Sequence, residues 1–239
     1  VKAGKPSVRS LYPLVHDRCA DYRTEGFPAF TVEIGEKEID AERKRADSPG
    51  YGDDYLESLA VCRQIAERMP AWDAFLFHGS AIAVDGIGVI FTAPSGTGKS
   101  TQFLNWRRQF PGEIIMICGD MPILERRPDD SLWVHPTSWT GKENIGSFSG
   151  APLGGVVLLE QGRENRMSVL TPREAIPPLL GQFCAYPETE SEIRSLCGIL
   201  DGMLRRVPVW KLVNLGDAAS TELLRNTIAQ ACGGNDGTI

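Results

Sequence analysis

The chain has 239 residues, 42% hydrophobic and 23% charged, with a net charge of −6 and six cysteines. That is chain enough to bury a large core in one α/β domain with a small appended lobe, and an acidic balance without a basic block excludes nucleic acid as a first partner. Cys19, Cys62, Cys118, Cys184, Cys197 and Cys232 form no C-x-x-C pair or zinc-ligand spacing, no apolar run reaches membrane-span length, and the polar N-terminus lacks a signal-peptide core; the expectation is a cytoplasmic protein with reduced thiols and no membrane partner.

Taken in chain order, the first fifty residues give short extended pieces, Leu11–Val15 and Ala29–Ile34, the second alternating apolar and polar. A charged stretch (Glu36–Asp47) and turn chemistry (Ser48–Asp54) follow. Leu56, Leu59, Ala60, Ile65, Ala66 and Met69 recur at helical spacing, which predicts a helix over Tyr55–Met69, capped by Asp54 and ended by Pro70. Residues 1–70 therefore read as a small β-rich N-terminal lobe plus a helix, and 71–239 as an α/β nucleotide-binding domain.

Two β runs, Ala74–Val84 and Ile87–Thr92, are joined by Asp85-Gly86, a hairpin signal. The second run leads into a glycine loop and a helix over Ser100–Gln109. Further strands are predicted over Glu113–Cys118, Met121–Glu125, Leu132–His135, Gly155–Glu160, Met167–Thr171 and Val209–Val213. Helices are predicted over Pro172–Ala185 and Glu190–Arg206, with a closing helix from Asp217.

The loop is Ala93-Pro94-Ser95-Gly96-Thr97-Gly98-Lys99-Ser100-Thr101, a P-loop pattern with Ala in place of the usual first Gly. Backbone N–H groups must curl inward around an anion, which bulky residues at Gly96 and Gly98 would obstruct. The helix behind presents its positive end. Lys99 supplies a mobile charge for the β/γ oxygens, and Ser100 a hydroxyl for one corner of Mg²⁺. ATP with Mg²⁺ is the expected ligand, with Pro94 to Thr101 as its binding residues. Asp120, at the end of the strand expected to neighbour the loop strand, is the candidate metal ligand or base. No LSGGQ-type stretch and no N-K-x-D occurs, which argues against a transporter ATPase and a GTPase.

The run His78-Gly79-Ser80-Ala81-Ile82-Ala83-Val84, the Asp-Gly turn, Gly88-Val89-Ile90-Phe91-Thr92 and then the loop resemble the bacterial HPr serine kinase/phosphorylase family, which shares a core with ATP-dependent phosphoenolpyruvate carboxykinase. The resemblance extends more loosely over Phe75–Asp120, and the order of elements continues to the C-terminus. It implies a P-loop-containing core of that type, with His78 near the reacting phosphate and Asp120 as one member of an Asp-Asp pair. Gly119 stands where the other Asp belongs, so Asp120 serves both roles, another acid such as Glu143 substitutes, or the chemistry is weak. The family's signature segment is missing. In its place Trp139-Thr140-Gly141-Lys142-Glu143-Asn144 looks like the branch associated with peptide natural-product genes.

That resemblance implies transfer of the γ-phosphoryl group to a hydroxyl, serine above all, of a peptide, protein or small molecule. Lys99 and Lys142 would neutralise charge, Asp120 and His78 would take the proton, and Ser100, Asp120 and Glu143 would serve Mg²⁺. The alternatives are an ATP-binding sensor without transfer and a carboxykinase; three histidines are few for the latter. The helix Tyr55–Met69 and the N-terminal strands are candidates for an acceptor-binding lobe or a homo-oligomer contact. Calorimetric titration with Mg-ATP is expected to show binding weakened about tenfold or more in Lys99→Ala; equal affinities would remove the loop from phosphate binding.

Overall fold

A computed structural model of the chain describes residues 6–94, 96–184 and 187–233, with residues 232 and 233 by backbone only. The N-terminal seventy residues are mainly helical, which corrects the β-rich expectation. Their strands, β1 (Pro6–Arg9) and β2 (Phe30–Glu33), pair in parallel as a separate two-stranded sheet. Part of the piece read as extended is the helix α1 (Pro13–Arg18), with Pro13 suited to a first helical position. The charged stretch is the helix α2 (Glu36–Arg45), with acids in its first turn and Arg43, Lys44 and Arg45 in its last, as the helix dipole favours. Its inward face carries Ile39 and the buried Glu42, so no apolar stripe marked it.

Packing against the helix α3 (Asp53–Arg68) orders this region. Glu42, 3% exposed, accepts from Arg63 Nε at 2.5 Å and Nη2 at 3.1 Å. Glu57, fully buried in α3, accepts from the backbone N–H groups of Leu11 and Tyr12 and so holds the entry to α1. Leu56, Ala60, Val61, Ile65 and Ala66 fill the core beneath. α3 begins after Gly52 rather than Asp54, and a 3₁₀ turn over Met69–Trp72, carrying Pro70, follows its end.

The remaining strands build one sheet of nine. They are β3 (Ala74–Leu76), β4 (Ser80–Val84), β5 (Ile87–Thr92), β6 (Ile114–Cys118), β7 (Ile123–Arg126), β8 (Leu132–His135), β9 (Ala151–Gln161), β10 (Arg166–Val169) and β11 (Val209–Asn214). Spatial order is β3-β7-β8-β9-β5-β4-β6, with β11 alongside the far half of β9 and β10 beside β11. β5, β9 and β11 run parallel; β4 lies antiparallel between β5 and β6. Two expectations are corrected here. The run Ala74–Val84 splits at Phe77–Gly79 into strands with different neighbours. The strand ending near Asp120 is one position removed from the loop strand, because β4 intervenes. The Asp85-Gly86 hairpin forms, with φ of 50° and 80° as a type I′ turn requires.

Period-two alternation sends apolar side chains to both faces. Ile82, Val84, Val89 and Phe91 pack with Phe103 and Trp106 of α4 (Lys99–Gln109) and with Leu224 and Ile228. Ala81, Ala83 and Ile90 face Ala175 and Leu179 of α5 (Pro172–Leu180) and Ile199 and Met203 of α6 (Glu190–Arg206). Leu224 and Ile228 belong to α7 (Ala218–Gly233). α5 stops at Leu180, short of the expected end; Pro177 and Pro178 deprive its last turn of N–H donors. Cys62 and Cys118 are buried free thiols as expected, Cys197 is exposed, and the Cys232 side chain lies outside the described residues.

One buried pair links this core to pH. His135 Nε2 lies 2.7 Å from Glu125 Oε2, the two residues 5% and 3% exposed. Burial lowers the His135 pKa despite the opposing pull of Glu125. A histidine whose folded pKa lies below the unfolded value contributes stability that is whole above about pH 6.5 and is lost as pH falls through the folded value. Thermal melts are expected to show a smaller loss of stability for His135→Gln than for wild type between about pH 6.5 and 5.

Candidate functional site

The parallel strands β5, β9 and β11 and the flanking β6 all end at one edge of the sheet, and β4 begins there. The glycine loop follows β5 at that edge. Gly96 and Gly98 have φ of 79° and 102°, the left-handed region that glycine enters without strain. Pro94 is exposed, and its carbonyl accepts from Thr97 N at 3.3 Å and Thr97 Oγ1 at 2.8 Å. Lys99 opens α4 and donates to Ala93 O at 2.9 Å, reaching back across the loop. Ser100 and Thr101 are exposed on the first helical turn. Ser95 lies outside the described residues. Behind the turn, fully buried Gln102 donates to Ser220 Oγ at 2.7 Å and accepts from Thr221 Oγ1 at 3.1 Å, which pins α4 to α7.

His78 and Asp120 meet beside this loop. The Asp120 carbonyl accepts from Gly79 N at 2.8 Å, and the Gly119 carbonyl from buried Ser80 Oγ at 2.7 Å. The His78 carbonyl accepts from Thr92 Oγ1 at 2.8 Å, tying it to the last residue of β5. Two backbone turns distant in sequence are thereby fastened to each other and to the strand that leads into the glycine loop. His78 Nε2 comes 3.6 Å from Asp120 Oδ1. Its Nδ1 lies 3.1 Å from Gln182 Oε1, and the Gln182 amide nitrogen donates to Pro178 O at 3.3 Å. That network assigns Nδ1–H as donor to Gln182 and leaves Nε2 facing the carboxylate.

Charge at the site is only partly solvated. Burial raises the Asp120 pKa, with His78 and Lys99 pulling it down and Glu143 adding to the rise. Burial lowers the Lys99 pKa, with Asp120 opposing. Each group is costly alone and relieved by the other, the arrangement expected where a proton or an anion is handled.

Gly119 is also where the family pattern would place a second acid. A Cβ there would lie 2.2 Å from Thr140 O, a backbone atom with little freedom to retreat. The segment Thr137–Gly146 occupies that space, bridged to Cys118 through Gly146 and held by the Met121 N–H donating to Trp139 O at 3.1 Å. It turns through Gly141, whose φ of 73° would strain any side chain and where a Cβ would lie 3.0 Å from Asp120 Cβ. Glu143 Oε2 lies 3.5 Å from where a Cβ on Gly141 would sit, so the turn brings a second carboxylate to the Asp120 side of the site. Lys142 is exposed at the crest and engaged by no hydrogen bond or ion pair among the described residues; the site geometry assigns it no role.

Sequence reasoning missed Gln182, Thr92 and Tyr22. Gln182 was placed inside a helix that ends before it. Tyr22 donates at its hydroxyl to the Thr137 and Ser147 carbonyls, at 2.9 and 3.2 Å, so the N-terminal region braces the Gly141 turn. Burial pushes the Tyr22 pKa up to about 12. No motif marks these residues, because their partners are backbone atoms or lie far away in sequence.

Among the described residues no group of three or more His, Cys, Asp or Glu side chains is placed to hold a metal by itself. The donors present fit Mg²⁺, which takes one or two carboxylates and completes its shell with water and phosphate oxygens. Glu143 destabilises the charged form of Asp120, a repulsion that a divalent cation between them would relieve.

Compared with known protein families and with curated proteins, the chain matches none. Among solved structures it is similar to the Hpr(Ser) kinase/phosphatase from Coxiella burnetii, at 12% identity and a TM-score of 0.39, over 68% of this chain and 99% of that one. The likeness is loose. No helix among the described residues is long and apolar enough to cross a membrane. Gly119→Ala is expected to lower stability by about 1–3 kcal/mol in urea denaturation, the cost of overpacking against a fixed carbonyl; unchanged stability would show that the Thr140 segment yields freely.

Proposed function

We propose that the chain binds ATP with Mg²⁺ and transfers the γ-phosphoryl group to a hydroxyl, serine being the favoured acceptor. The observation that carries this is the meeting of Lys99, Asp120 and His78 beside the glycine loop, with His78 Nε2 3.6 Å from Asp120 Oδ1. A binder of nucleotide needs the loop, the lysine and at most a carboxylate for Mg²⁺; the oriented imidazole beside that carboxylate is what it has no use for. Phosphoryl transfer needs both, because the attacking hydroxyl must lose a proton where phosphate charge is already concentrated.

In this scheme the loop amides and Lys99 hold the phosphates and spread the charge that grows on the transferring group. Asp120 Oδ1 accepts the hydroxyl proton as transfer proceeds. His78, held at Nδ1 by Gln182, places Nε2 beside that carboxylate. Asp120, Glu143 and Ser100 would hold Mg²⁺, which neutralises phosphate charge when bound. No step rests on Lys142.

A second function, nucleotide binding without transfer, is favoured by two features: Gly119 where the resembling family carries an acid, and Ala93 in place of the loop's usual first Gly. The two separate on incubation with γ-labelled ATP and serine peptides. Wild type is expected to label the acceptor, and Asp120→Asn to lose about a hundredfold or more in rate while keeping ATP affinity within about twofold. Binding by wild type with no transfer to any acceptor would replace the kinase proposal with the binding-only one. Transfer undiminished in Asp120→Asn would take the proton-accepting role from that residue.

A further inference from the structure

A side-chain amide just beyond the end of α5 decides what His78 can do. Residues 182–184 run antiparallel to 76–78: His78 N donates to Gln182 O at 2.8 Å and Cys184 N to Leu76 O at 2.9 Å, with Phe77 opposite Phe183. Phe183 is buried, its ring edge-on to those of Phe75 and Phe77 at 5.8 and 5.1 Å. Gln182 therefore leaves from a backbone fixed against the segment that carries His78.

The amide is oriented by the helix before it. In a continuing α-helix Gln182 N would donate to Pro178 O. Here it donates to Leu179 O at 3.0 Å, and the Pro178 carbonyl is left to the Gln182 side chain, 3.3 Å away. A carbonyl only accepts, so the amide must turn its nitrogen to Pro178 and its oxygen to His78. That oxygen in turn only accepts, and it lies 3.1 Å from Nδ1. The hydrogen of the neutral imidazole is thus drawn to Nδ1, and Nε2 keeps a lone pair.

This outcome runs against the pull of the other neighbour. Asp120 Oδ1 lies 3.6 Å from Nε2, beyond a hydrogen bond. With Nδ1 unpartnered, a neutral ring beside a carboxylate would carry its hydrogen on Nε2 and donate to it. Such a donor would occupy Oδ1, the atom that receives the hydroxyl proton in the proposed transfer. With the hydrogen on Nδ1, Oδ1 meets no competing donor from the ring and stays open to an incoming hydroxyl.

Resting on the phosphoryl-transfer function above, we infer that Gln182 is a positioning residue for that reaction. Anchored by the Pro178 carbonyl, it holds His78 in the Nδ1–H tautomer and so keeps the Asp120 carboxylate free for the acceptor hydroxyl. Its effect passes through His78.

The tautomer is read without any turnover from long-range proton–nitrogen correlation spectra of the three histidine rings, taken on the full chain at about pH 9, above the ordinary histidine range. His78→Asn identifies the His78 signals by their absence. Wild type is expected to show the hydrogen on Nδ1 of His78. Gln182→Met, which keeps the side-chain length and removes both polar atoms, is expected to move it to Nε2. Rate is read as phosphate released from γ-labelled Mg-ATP, with water standing in for the acceptor hydroxyl. Gln182→Met is expected to lower kcat about tenfold with KM for Mg-ATP within about twofold, and Gln182→Glu, which retains an acceptor at Nδ1, to recover most of that rate. Nε2–H in wild type, an unchanged tautomer or kcat in Gln182→Met, or a Gln182→Glu variant as slow as Gln182→Met would each overturn the positioning role and leave the transfer reaction standing. Wild type that binds Mg-ATP and releases no phosphate would overturn that reaction and the role with it.

Discussion

The site depends on a backbone clamp. Gly79 N donates to the Asp120 carbonyl and Ser80 Oγ to the Gly119 carbonyl, which fastens the start of β4 to the end of β6. Ser80 is fully buried, and the Gly119 carbonyl it satisfies would otherwise face a costly loss of solvation. A Cβ on Gly79 would come 2.8 Å from Phe91 O, so the close passage to β5 requires glycine there. With Thr92 holding the His78 carbonyl, three strand ends converge and carry His78, Asp120 and the glycine loop to one place. Each functional side chain leaves from a backbone position fixed by the sheet, which is how a site is held to the tolerance that chemistry needs.

Electrostatics builds on that convergence. Burial pushes Asp120 and Lys99 toward their neutral forms from opposite sides, and their mutual attraction restores part of the charge to each. Glu143, delivered by the Gly141 turn, works against Asp120 and so leaves the site with an excess of negative charge on that side. Such a balance favours a cation there and an anion at the loop amides a short distance away. The requirements of the two charges are met by different elements: the helix start for the anion, the strand ends and the 137–146 segment for the cation.

Much of this was legible in the sequence, and the limits have physical causes. The Asp85-Gly86 turn, the strand–glycine loop–helix order and the helices α3 and α6 carry local signals: left-handed turn residues, small residues at fixed offsets, apolar stripes with period 3.6. The N-terminal region was misjudged because α2 buries a glutamate where an apolar stripe would have shown, and because Pro13 starts a helix in a segment too short to reveal a period. The position of β4 between β5 and β6 is a matter of long-range pairing that no local pattern encodes. His78 and Asp120 were singled out by their place at strand ends, whereas Gln182 could not be. Its partner is 104 residues away, and glutamine near a helix end is unremarkable by itself. Gly119 beside Asp120 could be read in sequence; that the Thr140 carbonyl occupies the space a side chain there would need could not.

Tyr22 gives the N-terminal region a mechanical connection to the sheet edge that carries His78 and Asp120. Its hydroxyl spans the two limbs of the 137–147 segment, at Thr137 and Ser147, and its ring lies 5.3 Å from that of Phe148. Trp139 returns the contact by donating to Ser58 Oγ of α3 at 3.3 Å. The turn bearing Glu143 is therefore suspended between the sheet and the N-terminal helices, in the manner of a bridge anchored on both banks. Whatever shifts those helices, whether an acceptor seated on them or a second copy of the chain, would pull on the acid that faces Asp120.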